Sequence, residues 1–88
     1  ASADWANAKD FYLVMTNAPG AQAWPITATN FILVRKQPRN VASAKATQDF
    51  FRWIYRSGDN QAKQLDYVPL PDSLVQQVET YWTQNLKY

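Results

Sequence analysis

The chain contains no cysteine, no histidine and only two glycines, Gly20 and Gly58, in 88 residues. Without cysteine no disulfide can reinforce the fold, and the absence is compatible with an oxidising compartment without establishing one. Without histidine or cysteine, Ser-His-Asp triads, Cys-His nucleophilic pairs and Cys/His zinc sites are excluded by composition. Two isolated glycines cannot build a glycine-rich phosphate cradle. Long apolar runs are also lacking: nothing approaches the roughly 20 residues that span a bilayer, so a soluble chain without membrane insertion is expected. The N-terminus, ASADWANAKD, has no charged region followed by an apolar one and does not read as a signal peptide. A net charge of +2, with Lys and Arg scattered along the chain, gives no basic footprint for nucleic acid.

What is abundant is aromatic. Aromatic residues make up 15% of the chain, and Trp5, Trp24, Trp53 and Trp82 are spread over its whole length. Side chains of that size mark cores or interfaces. An 88-residue chain can supply one small, marginal core, so four tryptophans suggest packing against more than the chain itself.

The stretch that organises the rest is residues 24–36, WPITATNFILVRK. Its continuous apolar run Phe31-Ile32-Leu33-Val34 suits a strand covered on both faces. Pro25, which has no amide hydrogen, delays regular pairing to Ile26 or Thr27. A second apolar pentad, residues 11–15, reads as a short strand or extended segment, and Asn17-Ala18-Pro19-Gly20 between the two is a turn signal. The strand is expected to end at the loop Gln37-Pro38-Arg39-Asn40.

From Ser43 the period changes. Ala46, Phe50, Trp53 and Ile54 recur at intervals of three and four and predict a helix with these residues on its buried face, Ser43 as N-cap and Gly58 as stop. Asp59 can cap a short helix over residues 60–65, and the two prolines of residues 66–71 keep the chain extended before the next element. A closing amphipathic helix follows, capped at Asp72 or Ser73, with Leu74, Val75, Val78, Tyr81, Trp82 and Leu86 on its apolar face. The expectation is a single α/β unit over residues 1–88, with one or two strands, two longer helices and one short helix.

Few residues are left for chemistry. The seven acids, Asp4, Asp10, Asp49, Asp59, Asp66, Asp72 and Glu79, fall mostly at helix starts or on polar faces, where capping and solvation account for them. Thr27, Thr29 and Asn30 could present polar groups to a ligand, although threonine is simply a good strand former. Phe50, Trp53, Tyr81 and Trp82 could line a carbohydrate platform, but their helical spacing favours a core. No catalytic, cofactor-binding or metal-ligating residue is assigned, and an enzyme is not expected.

Three blocks, WPITATNFILVRK, DFFRWIYRSGDNQAKQLDYVPLPDSLV and YWTQNLKY, resemble in order and spacing the C-terminal part of the periplasmic phosphate-binding proteins of phosphate ABC transporters. The likeness covers the chain from about Asp4-Trp5 to Tyr88. It implies a piece of one lobe of a two-lobe periplasmic binding protein (type II), in a family whose members are roughly three to four times this length. The parent's implied function is capture of inorganic phosphate in the periplasm and delivery to a membrane permease. Hinged lobe closure, for which periplasmic binding proteins are a standard example, needs both lobes. The family's phosphate ligands lie before the matched region, so no phosphate-binding residue is carried onto this chain, and no cofactor is implied. The resemblance therefore implies a fragment that does not bind phosphate alone, whose partner is the rest of its lobe and which self-associates without it.

Overall fold

A computed structural model describes residues 4–88. They divide into two compact units, one ending at Val34 and the other comprising Arg35–Tyr88.

The second unit is helical. Helix α1, Val41–Ser57, starts two residues before the Ser43 cap expected from the sequence, because Asn40 takes that role: its side chain accepts the Ser43 N–H at 3.0 Å. An asparagine at the N-cap satisfies one of the amides that a helix start leaves without a partner. At the other end the Gly58 N–H donates to the Ile54 carbonyl at 2.8 Å, and Gly58 itself is buried. The need for glycine there is spatial. Its backbone is not left-handed (φ −97°), but a Cβ would lie 2.7 Å from the Ile54 carbonyl oxygen, a backbone atom that cannot swing aside. Gly58→Ala is expected to cost about 1–3 kcal/mol, the usual range for overpacking, read as a lower melting temperature of the helical circular-dichroism signal.

Helix α2, Asp59–Gln64, follows at once, with Gly58 as its N-cap and Asp59 as its first residue rather than its cap. It closes in a Schellman arrangement: Tyr67 N–H reaches the Ala62 carbonyl at 2.9 Å and Asp66 N–H that of Lys63 at 3.1 Å. Asp66 occupies the left-handed position (φ 62°) usually held by glycine. Helix α3, Asp72–Asn85, begins behind Pro71, whose carbonyl accepts from Leu74 and Val75. Neither Asp72 nor Ser73 is the cap.

Leu74 and Val75 on α3 are the buried hydrophobic residues among those described, each 8% exposed, with Val78, Tyr81, Trp82 and Leu86 half-buried on the same face. The α1 stripe differs from the sequence expectation. Phe50 and Trp53 are 57% and 54% exposed, whereas Ala44, Gln48, Phe51 and Tyr55, spaced four, three and four, are half-buried together with Ile54. Helix α1 is apolar on two sides, so periodicity alone could not say which side is covered. Tyr55 stacks near Trp82 (centroids 6.0 Å apart, tilted), and Lys87 N–H and the Tyr88 hydroxyl bond back to the carbonyls of Lys36 and Arg35.

The first unit has a 3₁₀ turn, Lys9–Phe11, and no strand among the described residues, which corrects the expectation of one or two strands. The reason is local. Asn17 N–H donates to the Pro25 carbonyl at 2.8 Å, but proline has no N–H with which to complete the reciprocal pair. At the next position the carbonyls of Met15 and Thr27 accept threonine hydroxyls, from Thr27 at 3.0 Å and Thr16 at 3.3 Å, where ladder amides would stand. Asp10 and Phe11 have positive φ (54° and 56°) and cannot extend the first segment backwards. Phe31 turns its ring to Tyr12, with centroids 5.4 Å apart, and residues 31–37 are all exposed.

Candidate functional site

The threonines weighed as ligand contacts are engaged within their own unit. The Thr27 hydroxyl donates to the Met15 carbonyl, and the Thr29 hydroxyl lies 3.0 Å from the Met15 sulfur. Asn30 is exposed beside them. The set is a cross-link between two chain segments rather than a row of hydroxyls converging on one point.

The carboxylates are dispersed. Asp4 accepts from the Asn7 side chain at 2.9 Å, Asp49 pairs with Arg52 one turn on at 3.0 Å, Asp59 and Asp72 open α2 and α3, and Asp66 holds the turn after α2. The exception is Glu79. From α3 it receives both arginines of α1: Arg56 Nη2 at 3.0 Å from Oε2, and Arg52 Nε at 3.6 Å from Oε1. The Glu79 side chain is 21% exposed, and its Oε1 is buried without a hydrogen bond, so the longer contact is an ion pair only. Arg52 also lies over the Trp82 ring, 5.8 Å from its centroid. Sequence reading missed this cluster, although Arg52 and Arg56 stand one helical turn apart and so share a face.

Beside it opens a cleft of about 340 Å³ between α1, α2 and α3, with Tyr55, Val75 and Gln76 in its wall. Its charged lining is Arg56 against Asp59, Asp72 and Glu79. Burial raises the Tyr55 phenol above its ordinary value of 10.0, so the ring remains a neutral hydrogen-bonding group at physiological pH. Three carboxylates facing one guanidinium repel an oxyanion, and the guanidinium is already held by Glu79. Oxyanion sites have the opposite make-up, with free amides and cations directed at the anion. Among the described residues no three histidine, cysteine, aspartate or glutamate side chains are grouped to hold a metal ion, and no helix is long and apolar enough to cross a membrane.

Phe50 and Trp53 do not form a platform with Tyr81 and Trp82. The first two face solvent and the second two are half-buried on α3. The largest uncovered features are therefore apolar: Phe50 and Trp53 on α1, Leu65, Tyr67 and Val68 after α2, and, within the first unit, Trp24, Ile26 and Leu33, which are 80%, 92% and 94% exposed.

No protein-family model matches the chain. Curated relatives do. Over 86 residues it is 60% identical to the phosphate-binding protein PstS of Xylella fastidiosa (strain 9a5c), an alignment that covers 98% of this chain and 24% of that protein. It is 38% identical over 87 residues to the phosphate-binding protein PstS of Pasteurella multocida (strain Pm70), covering 99% of this chain and 25% of the relative. The protein of the same name from Haemophilus influenzae (strain Rd) is 36% identical over 85 residues. The resemblance read from the motifs is thus borne out along almost the whole chain, and the chain spans about a quarter of the length of the curated relatives it matches. These relatives are named as binding proteins, not enzymes.

Proposed function

We propose that this chain, whose sequence matches a segment of phosphate-binding proteins, serves as C-terminal scaffold in one lobe of a two-lobe α/β periplasmic binding protein. The whole protein captures inorganic phosphate and delivers it to an ABC permease. The observation that carries this reading is the 60% identity over 98% of the chain against only 24% of the relative. The structure adds a reason for assigning scaffold rather than ligand. The clustered arginines are held by Glu79, the threonine hydroxyls bond to residues of their own unit, and the charged lining of the cleft between the helices is three carboxylates against one arginine. Calorimetric titration of the isolated 88-residue chain with inorganic phosphate is expected to give no saturable heat. Micromolar binding would overturn the scaffold assignment.

A second reading concerns the chain by itself. Apolar side chains as exposed as Phe50, Trp53, Ile26 and Leu33 are surfaces that the rest of a lobe covers in the whole protein, and a second copy covers them in its absence. Light scattering over a range of concentrations is expected to show a mass rising above 10.1 kDa. A monomer throughout would remove this reading and leave the first untouched.

A further inference from the structure

Helix α1 divides its surface into three stripes of different character. Ala44, Gln48, Phe51 and Tyr55, spaced four, three and four, are half-buried. Lys45, Asp49, Arg52 and Arg56 repeat that spacing one residue on and include every charged residue of the helix. Ala42, Ala46, Phe50, Trp53 and Ser57, spaced four, four, three and four, make the third stripe, and all five are exposed. At 3.6 residues per turn the third stripe lies about 170° round the helix from the half-buried one.

A helix with one covered side carries its charge around the rest of its circumference. In α1 the charge is confined to one flank, where Arg52 and Arg56 pair with Glu79 of α3. The far side has two alanines, two aromatic rings and a serine, the composition of a second packing surface. Its relief changes along its length. Ala42 and Ala46 let a neighbour approach the helix axis closely, and Phe50 and Trp53 hold it further off. A helix apolar on two opposite sides fits a place between two layers of a domain.

The size of the stripe bears on what covers it. From the helical rise and diameter it is about 25 Å long and about 10 Å wide, an area of roughly 250 Å². A stable association of separate chains uses about 800 Å² on each partner. The stripe alone is too small to hold a second copy and matches one secondary-structure element packed within a domain. About three-quarters of each relative's length has no counterpart here.

We propose that α1 is covered on two sides in the whole protein. Its Ala42, Ala46, Phe50, Trp53 and Ser57 stripe packs lengthwise against one apolar element from the part of a phosphate-binding protein that this chain does not span, closest at the alanines and recessed around the two rings. In taking its occupant from the whole protein the inference rests on the proposed function. The occupant is uncharged where it touches α1, because the stripe offers no counter-charge and an unpaired buried charge is costly.

The absence of native cysteine makes the stripes separately testable. Positions 45 and 46 are sequence neighbours on different stripes, and both are exposed. Lys45→Cys and Ala46→Cys are made singly, in the isolated chain and in a chimera in which this chain replaces the matching segment of the Xylella relative. Reaction with N-ethylmaleimide is followed at the introduced thiol by peptide mass spectrometry. In the isolated chain the two thiols are expected to react at similar rates. In the chimera the Ala46→Cys thiol is expected to react on the order of 100-fold more slowly than the Lys45→Cys thiol, because it is reached only through local opening. Equal rates in the chimera, fast or slow, contradict the proposal. Slow reaction at 46 in the isolated chain that quickens on dilution assigns the stripe to a second copy, and slow reaction at every dilution assigns it to this chain itself; either overturns the stated occupant. Phosphate titration of the unsubstituted chimera separates the two levels: a chimera that binds phosphate with a reactive stripe defeats this inference alone, and one with a protected stripe that binds none defeats the functional reading.

Discussion

Leu74→Ala is expected to abolish the cooperative unfolding transition of the isolated chain. Leu74 and Val75 are the buried hydrophobic residues among those described, side by side at the start of α3. Truncating a buried leucine costs about 2–5 kcal/mol, part of it for the cavity left behind. Domain stabilities lie near 5–15 kcal/mol for ordinary cores, and a chain with so little fully buried apolar surface sits at or below the low end. Circular-dichroism melting distinguishes the outcomes, with Leu33→Ala as the control. Leu33 is 94% exposed, so its removal is expected to change stability by no more than about 0.5 kcal/mol. Equal losses for the two variants would mean that the core lies elsewhere.

The second large effect depends on context. In the isolated chain Trp53→Ala is expected to cost less than about 1 kcal/mol, because more than half of the side chain is already in water. In a chimera in which this chain replaces the matching segment of the Xylella relative, the same change is expected to cost about 3–5 kcal/mol, the usual loss for a covered tryptophan. Denaturant midpoints of the four proteins measure the difference directly. A small cost in both settings would mean that the Phe50–Trp53 side of α1 faces solvent in the whole protein as well. A large cost in both would mean that the isolated chain already buries it.

The helices were legible because their determinants are local. The stop at Gly58, Pro71 ahead of α3 and the apolar face from Leu74 to Leu86 all lie within a few residues of what they specify. Boundaries shifted where two neighbours compete for one role: Asn40 displaces Ser43 at the start of α1, and Gly58 displaces Asp59 at the start of α2. The buried side of α1 was not legible, since apolar residues occur on both sides and the choice between them is made by what packs there.

Residues 24–36 show the same limit more sharply. Their composition is that of a covered strand, and the alternation at residues 26–30 preserves half of that pattern. A strand also needs a donor and an acceptor from a neighbour at every second residue. Pro25 lacks the donor, and two threonine hydroxyls occupy the acceptors. No property of the segment itself supplies the missing neighbour. Phosphate chemistry was illegible for a different reason, because the engaged residues Arg52, Arg56 and Glu79 form an intramolecular clamp and no anion site is built from them. The link to phosphate came from the order of motifs and then from the relatives.

The most direct test sets the phosphate affinity of the chimera beside those of the Xylella relative and the isolated chain, all by calorimetry. If this chain is scaffold for a site made elsewhere, the chimera should bind inorganic phosphate within about tenfold of the relative, a difference of roughly 1.4 kcal/mol, and the isolated chain should not bind it. A well-folded chimera without phosphate binding, or an isolated chain that binds as tightly as the relative, would contradict that claim.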